Sequence, residues 1–174
     1  AILAHGWNAD VGAFVQAFGS RELDAATLAI PLVGFLPADD PRMLATMERV
    51  GERLVVDGFV ERYDTRRTDD GLPPGEGAFG LATCWLVDAL ALAGRVDAAH
   101  RLFARIADTA NHLGLFAEQV DPRTGAQLGN FPQAFTHLGV VNSVLYLAAA
   151  ERRGTAGPPP LGLERRARAP RGDG

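Results

Sequence analysis

"EGAFGLATCWLVDALALAGRVDAAHRLFARIADTANHLG", residues 76–114, sets two helix patterns of different kinds back to back. The first, 76–94, is apolar on nearly every side and stops at Gly94, which predicts a helix buried all round. The second takes Asp97 as its cap. It carries one stripe of Leu102, Phe103, Ile106, Ala110 and Leu113 before Gly114, which predicts an amphipathic helix with one wet face.

The rest of the chain repeats this unit. Upstream, "ELDAATLAIPLVGFL", 22–36, is apolar on most sides, with Pro31 as a kink. It is followed by "DDPRMLATMERVGERL", 39–54, where Asp40 caps, Pro41 takes the first helical position, and Leu44, Met47, Val50 and Leu54 form one stripe. Downstream, 130–153 is mostly apolar again and ends on Arg152 and Arg153, where the helix dipole favours cations. Similar loops, "GAFVQAF", "DGFVERYD" and "GLFAEQVD", enter the buried helices. They align Phe14, Phe59 and Phe116, and then Gln16, Glu61 and Glu118, at intervals of roughly 45–57 residues. Buried helices inside and amphipathic ones outside describe an all-α toroid of helix hairpins, and the loops entering its inner helices converge on one mouth, where a pocket forms.

Composition narrows the function classes. The chain has 174 residues, 47% hydrophobic and 22% charged, as befits one globular domain with its own core. The domain is expected over 1–153, and the Gly-, Pro- and Arg-rich stretch 154–174 is expected to be a disordered tail. A net charge of −4 gives no basic footprint for nucleic acid. All 17 basic residues are Arg, which with the Ala and Gly richness reads as a bacterial coding bias. Cys84 is the only cysteine, which excludes an intrachain disulfide and a multi-Cys metal site. No 18-residue apolar run and no leader pattern is present, so no membrane partner and a cytoplasmic location are expected. His5, His100 and His112 lack ligand spacing, and no metal or cofactor is expected. The chain opens on "AILAHGWN" without Met, which reads as the tail of a helix begun upstream.

The polar connection "GLFAEQVDPRTGAQLGNFPQAFTH", 114–137, stands out: two acids, three Gln, an Asn, a His and three Phe between two apolar helices. Together with "DGLPPGEGAFGLATCWLVDALALAGRVDAA" it resembles glycoside hydrolase family 15, the glucoamylases, glucodextranases and some bacterial trehalases, over about residues 6–153. The resemblance implies an (α/α)6 barrel that hydrolyses an α-glucosidic bond with inversion, using two Glu residues. It implies the general base at Glu118, in "AEQ", and a role for Arg62-Tyr63 in holding the non-reducing glucose. The family's general acid lies in a Trp-Glu element with no match here, so it is expected upstream of residue 1. About half of the barrel is then expected in a missing N-terminal part of the same polypeptide, which becomes this chain's partner along with an α-glucoside substrate, an oligosaccharide or trehalose.

The remaining candidates carry two readings each. Glu76 follows "LPPG" and either favours a helix N-terminus or touches sugar hydroxyls. Gln133 and His137 stand four apart on one helical face and either line the mouth or, for His137, serve the core. Glu61 alternates away from Arg62 and is read as structural. Cys84 is read as inert core, Trp85 and Phe79 as core in preference to a sugar-stacking platform, and "DPRTG", 121–125, as a turn. Two functions follow: an inverting α-glucosidase, glucoamylase-like or trehalase-like, of which this is the general-base half, or a truncated non-catalytic helical or sugar-binding module lacking the acid.

Overall fold

A computed structural model of the chain describes residues 1–68, 71 and 77–153; Glu76 and the tail 154–174 lie outside the described residues. The described helices are α1 (Ala29–Leu32), α2 (Pro41–Arg53), α3 (Gly80–Leu92), α4 (Val96–Ala107) and α5 (Ala134–Arg153). A π-turn covers Ile2–Gly6 and a 3-10 turn Ala25–Leu28.

Short strands correct the all-α expectation. β1 (Trp7–Asn8) pairs antiparallel with β2 (Ala13–Phe14), and β3 (Val55–Val56) with β4 (Phe59–Val60). β5 (Ala78–Phe79), β6 (Gln119–Val120) and β7 (Gln127–Leu128) form a third antiparallel group with β6 in the middle. The second hairpin was written in the chain: "VVDGFV" puts β-branched residues around Asp-Gly, and Asp57 and Gly58 take φ of 48° and 84° as a two-residue hairpin turn demands. The loops entering the helices are therefore small hairpins. Their register also shifts the internal repeat. The N–H of Phe14 donates to Thr46 Oγ1 at 3.0 Å and that of Val60 to Thr83 Oγ1 at 3.0 Å, so Phe14 matches Val60 rather than Phe59.

Three helix expectations also change. The stretch 22–36 is no kinked helix: Asp24 caps the 3-10 turn through Ala26 N–H, and the chain leaves α1 after Leu32 into Gly34 at φ 71°. Asp97 lies in the first turn of α4, whose cap position is Arg95. That helix stops at Ala107, because the side chain of Asn111 accepts from the N–H groups of Leu113 and Leu115 and organises a turn instead. Leu113 consequently sits in water. The Asp40 cap and Pro41 start of α2 are as the sequence predicts, with Asp40 Oδ1 2.9 Å from Arg42 N.

The core forms around α3, which packs on α4, α5 and the 3-10 turn. Its Ala82, Thr83, Cys84, Val87, Ala89 and Ala91 are buried. α5 comes close because Gly80 and Gly139 have no side chains: a Cβ on Gly80 would stand 2.8 Å from Thr136 Cγ2, and one on Gly139 2.9 Å from Leu81 Cδ1. Only one side of α5 is covered. Phe135, Leu138, Val141 and Leu145, spaced along one face, are 63%, 60%, 56% and 51% exposed. No helix among the described residues is long and apolar enough to cross a membrane.

One acid lies in the α3–α5 contact. Asp88 is 2% exposed and accepts from Ser143 Oγ at 2.6 Å. Burial pushes its pKa up to about 7, against the opposing pull of the Ser143 hydroxyl. Burial, helped by Asp88, holds the Cys84 thiol protonated, up to about 12, so it is inert core. The folded chain thus keeps a proton on Asp88 that the unfolded chain releases above the ordinary carboxylate range. Stability from this group is present at low pH and is lost as pH rises through about 7. Asp88→Asn keeps an acceptor for Ser143 without the charge. It is expected to gain about 1–3 kcal/mol over the parent at pH 8 and little at pH 5, the gain being limited by its new amide donor. Thermal unfolding followed by circular dichroism at both pH values checks this; parallel loss of stability in the two proteins would disprove it.

Candidate active site

The polar connection folds back on itself as a clip. Glu118 immediately precedes β6, and Asn130 follows β7 by one residue, so the two stand where the β6–β7 hairpin leaves the helices. Glu118 N–H donates to Asn130 O at 2.9 Å. In return Asn130 N–H and Nδ2 both donate to Glu118 Oε2, at 3.1 and 2.9 Å. Among the described residues, Oε1 takes no hydrogen bond. Glu118 O accepts from Gly80 N at 3.0 Å, satisfying one of the orphan donors at the start of α3. The catalytic candidate is thereby fixed through its backbone to the start of α3 and to Asn130 in the segment that leads into α5. Gly129 lies against its side chain at φ 72°, where a Cβ would stand 3.0 Å from Oε2, so this position has neither room nor a relaxed backbone for a larger residue.

Gln133 and His137 join the same assembly from the start of α5. Gln133 N–H donates to Phe116 O at 2.9 Å. Phe116 N–H donates to His137 Nε2 at 3.3 Å, which leaves Nδ1 to carry the hydrogen toward Gln133 O at 2.7 Å. With the Phe116 ring edge-on at 5.3 Å, His137 acts as a latch, both ring nitrogens engaged. Its part-buried side chain ties Phe116 to the backbone at the start of α5. Gln127 ties the other end: its Nε2 donates to Thr109 O at 2.6 Å and Leu115 O at 3.1 Å.

Arg62 and Tyr63 come from another segment. Val60 is bonded to Thr83 in α3, Arg62 O accepts from Ala25 N at 2.8 Å, and β4 lies beside β5, which pairs with β6. Both loops are therefore tethered to the first turns of α3, although no contact joins the Arg62 side chain to Glu118 among the described residues. Arg62 is exposed, its guanidinium 5.1 Å from the centroid of the Tyr63 ring. Tyr63 is buried, 6% exposed. A cleft of about 390 Å³ opens beside this segment, lined by Glu22, Leu23, Arg53, Asp64, Arg66 and Arg67. Arg67 pairs with Glu22 at 2.9 Å and Arg66 with Asp64 at 2.9 Å. The Arg66 hydrogen bond holds the Asp64 carboxyl below its usual range. Glu61 is half-buried, and burial first and Asp64 second raise its pKa, with Arg66 opposing. Glu76 lies outside the described residues, so neither of its readings meets the structure.

Sequence reasoning missed Asn130, Gly129 and Gln127. The "LGN" spacing twelve residues past Glu118 carries no periodic signal, because a hairpin and not a helix face brings the two together.

Comparisons with known proteins show what the chain is similar to. The sequence profile of the glycosyl hydrolases family 15 matches residues 2–145. A trehalase of Mycobacterium tuberculosis is 46% identical over 150 residues, covering 86% of this chain and 22% of that protein. A trehalase of Mycolicibacterium smegmatis is 46% identical over 140 residues, covering 80% of this chain and 21% of that protein. A glycosidase solved in complex with glucose superposes with a TM-score of 0.70 at 28% identity, covering 84% of this chain and 41% of that one. The chain thus spans less than a quarter of the length of the curated relatives it matches. With its profile match running through both the Glu118 clip and the Arg62 segment, the chain belongs to glycoside hydrolase family 15.

Proposed function

We propose that this chain carries the general-base part of an (α/α)6 barrel that hydrolyses α-glucosidic bonds with inversion, and that its substrate is trehalose. The observation that carries the reading is Glu118: one carboxylate oxygen is held by two donors and the other takes no hydrogen bond among the described residues. The family membership and the trehalase relatives support the bond type and the choice of substrate. In this reading a water sits between Oε1 and the anomeric carbon. Glu118 takes the water's proton as the new C–O bond forms, and the glycosidic C–O bond breaks as an acid from the remainder of the barrel protonates the leaving oxygen. The two carboxyl groups of an inverting enzyme stand about 6.5–9.5 Å apart, which leaves room for that water.

The test is a hybrid in which this chain replaces the segment it matches in the Mycolicibacterium smegmatis trehalase. Proton NMR of freshly cleaved trehalose should show one β- and one α-glucose per bond. Two α anomers would mean retention and would overturn the mechanism. No turnover, from a hybrid that folds, would overturn the assignment of this segment.

Arg62 is proposed to hold hydroxyls of the glucose at the cleaved bond, where its forked donors engage two neighbours at once. Losing hydrogen bonds from a charged donor costs about 1.5–3 kcal/mol, so Arg62→Ala in the hybrid should lower kcat/KM by roughly ten- to a hundred-fold. Arg62→Lys should recover little, since the fork is lost. Parental kinetics in both variants would make Arg62 a surface residue.

A further inference from the structure

The clip around Glu118 has an asymmetry that the family membership does not explain. Among the described residues, both hydrogen bonds to the carboxylate fall on Oε2, both come from Asn130, and that residue also receives the backbone N–H of Glu118. Gly129 closes the same side, since a Cβ there would stand 3.0 Å from Oε2 and 3.2 Å from the Glu118 Cβ. We infer that Asn130 is the positioning residue of the general base: it fixes Oε2 in the hairpin stem and so dictates that Oε1 is the oxygen that takes the proton from water. This rests on the reading of Glu118 as the base.

A carboxylate on a free side chain rotates and presents either oxygen in many directions. Near-attack geometry requires one oxygen to face the water within hydrogen-bond reach, and small misplacements cost much of the rate. Asn130 supplies two donors about 3 Å from the same oxygen, one of them from the backbone, where it cannot swing away. The role lies in orienting the base, so its loss should appear in kcat and leave substrate binding alone.

Kinetics of the hybrid trehalase carrying the complete chain test this. Asn130→Ala keeps the backbone donor and lets water into the amide's place. It is expected to lower kcat by about tenfold with KM within about twofold. Asn130→Asp has the amide's shape but places a second carboxyl beside Oε2. Two carboxylates so close cannot both ionise easily, so at mildly acidic pH the pair shares a proton that donates to Oε2 as the amide does. At higher pH both are charged and repel. The ratio of parental to Asp-variant kcat should therefore climb steeply from pH 5 to pH 8, which a merely structural asparagine would not produce. If Asn130→Ala fails to fold, this ratio decides alone, and a flat ratio overturns the inference. Parental kcat in Asn130→Ala overturns it as well, provided Glu118→Gln is inactive. An active Glu118→Gln would instead remove the base assignment itself.

Discussion

Glu118→Gln in the trehalase hybrid should lose activity by about 10²–10⁴, the range typical for removing a general base. The change is isosteric. Its amide oxygen can still accept from Asn130 N–H and Nδ2, its backbone still caps α3 through Gly80, and the space beside Gly129 is unaltered. Only the ability to accept a proton from water is lost. A folded variant with less than a tenfold drop in kcat on trehalose would sink the assignment.

The 174-residue chain by itself should release no glucose and should self-associate. Phe135, Leu138, Val141 and Leu145 form an apolar stripe on α5, and Ile2, Leu3, Phe18 and Val33 are exposed elsewhere. Contiguous apolar patches beyond a few hundred Å² mark partner surfaces or aggregation sites. At about 25 cal/mol per Å², covering such a patch is worth several kcal/mol, a large share of a domain's net stability. The proposed occupant is the remainder of the barrel, and with it the general acid. On the proposed mechanism, Glu118 without them lacks a proton donor across the bond. Size-exclusion chromatography of the chain, with glucose assays on trehalose, maltose and soluble starch, checks both halves. A well-behaved monomer with measurable turnover would refute the reading.

Much of this could be read from the amino acids where the signal is local. Asp40-Pro41 marks the start of α2, Gly94 the turn after α3, and the alternation of all-apolar and striped segments the order of the main helices. The segment bearing Glu118 was also legible, because its motif is contiguous. What escaped depends on contacts between distant residues. Asp88 is an acid within an apolar helix, and its place is set by Ser143, 55 residues away, and by burial, neither of which the local sequence carries. The exposed stripe of α5 is invisible in a segment whose composition is apolar on every side; which side stays uncovered depends on the neighbours present. The strands of two residues each are too short for periodicity, and Leu113 was assigned to α4 because its spacing fits a helix that Asn111 in fact ends.

The β6–β7 hairpin has one further consequence, for how such an enzyme can change over evolutionary time. Its stem is closed by Glu118 and Asn130, while its tip, residues 121–126, is closed by its own bonds: Asp121 N–H to Ala126 O at 2.9 Å and Gly125 N–H to Asp121 O at 2.8 Å. Stem and tip are thus separate modules on one ribbon. Residues at the tip can drift or lengthen without disturbing the Glu118–Asn130 stem, because loops closed at their own ends tolerate insertion.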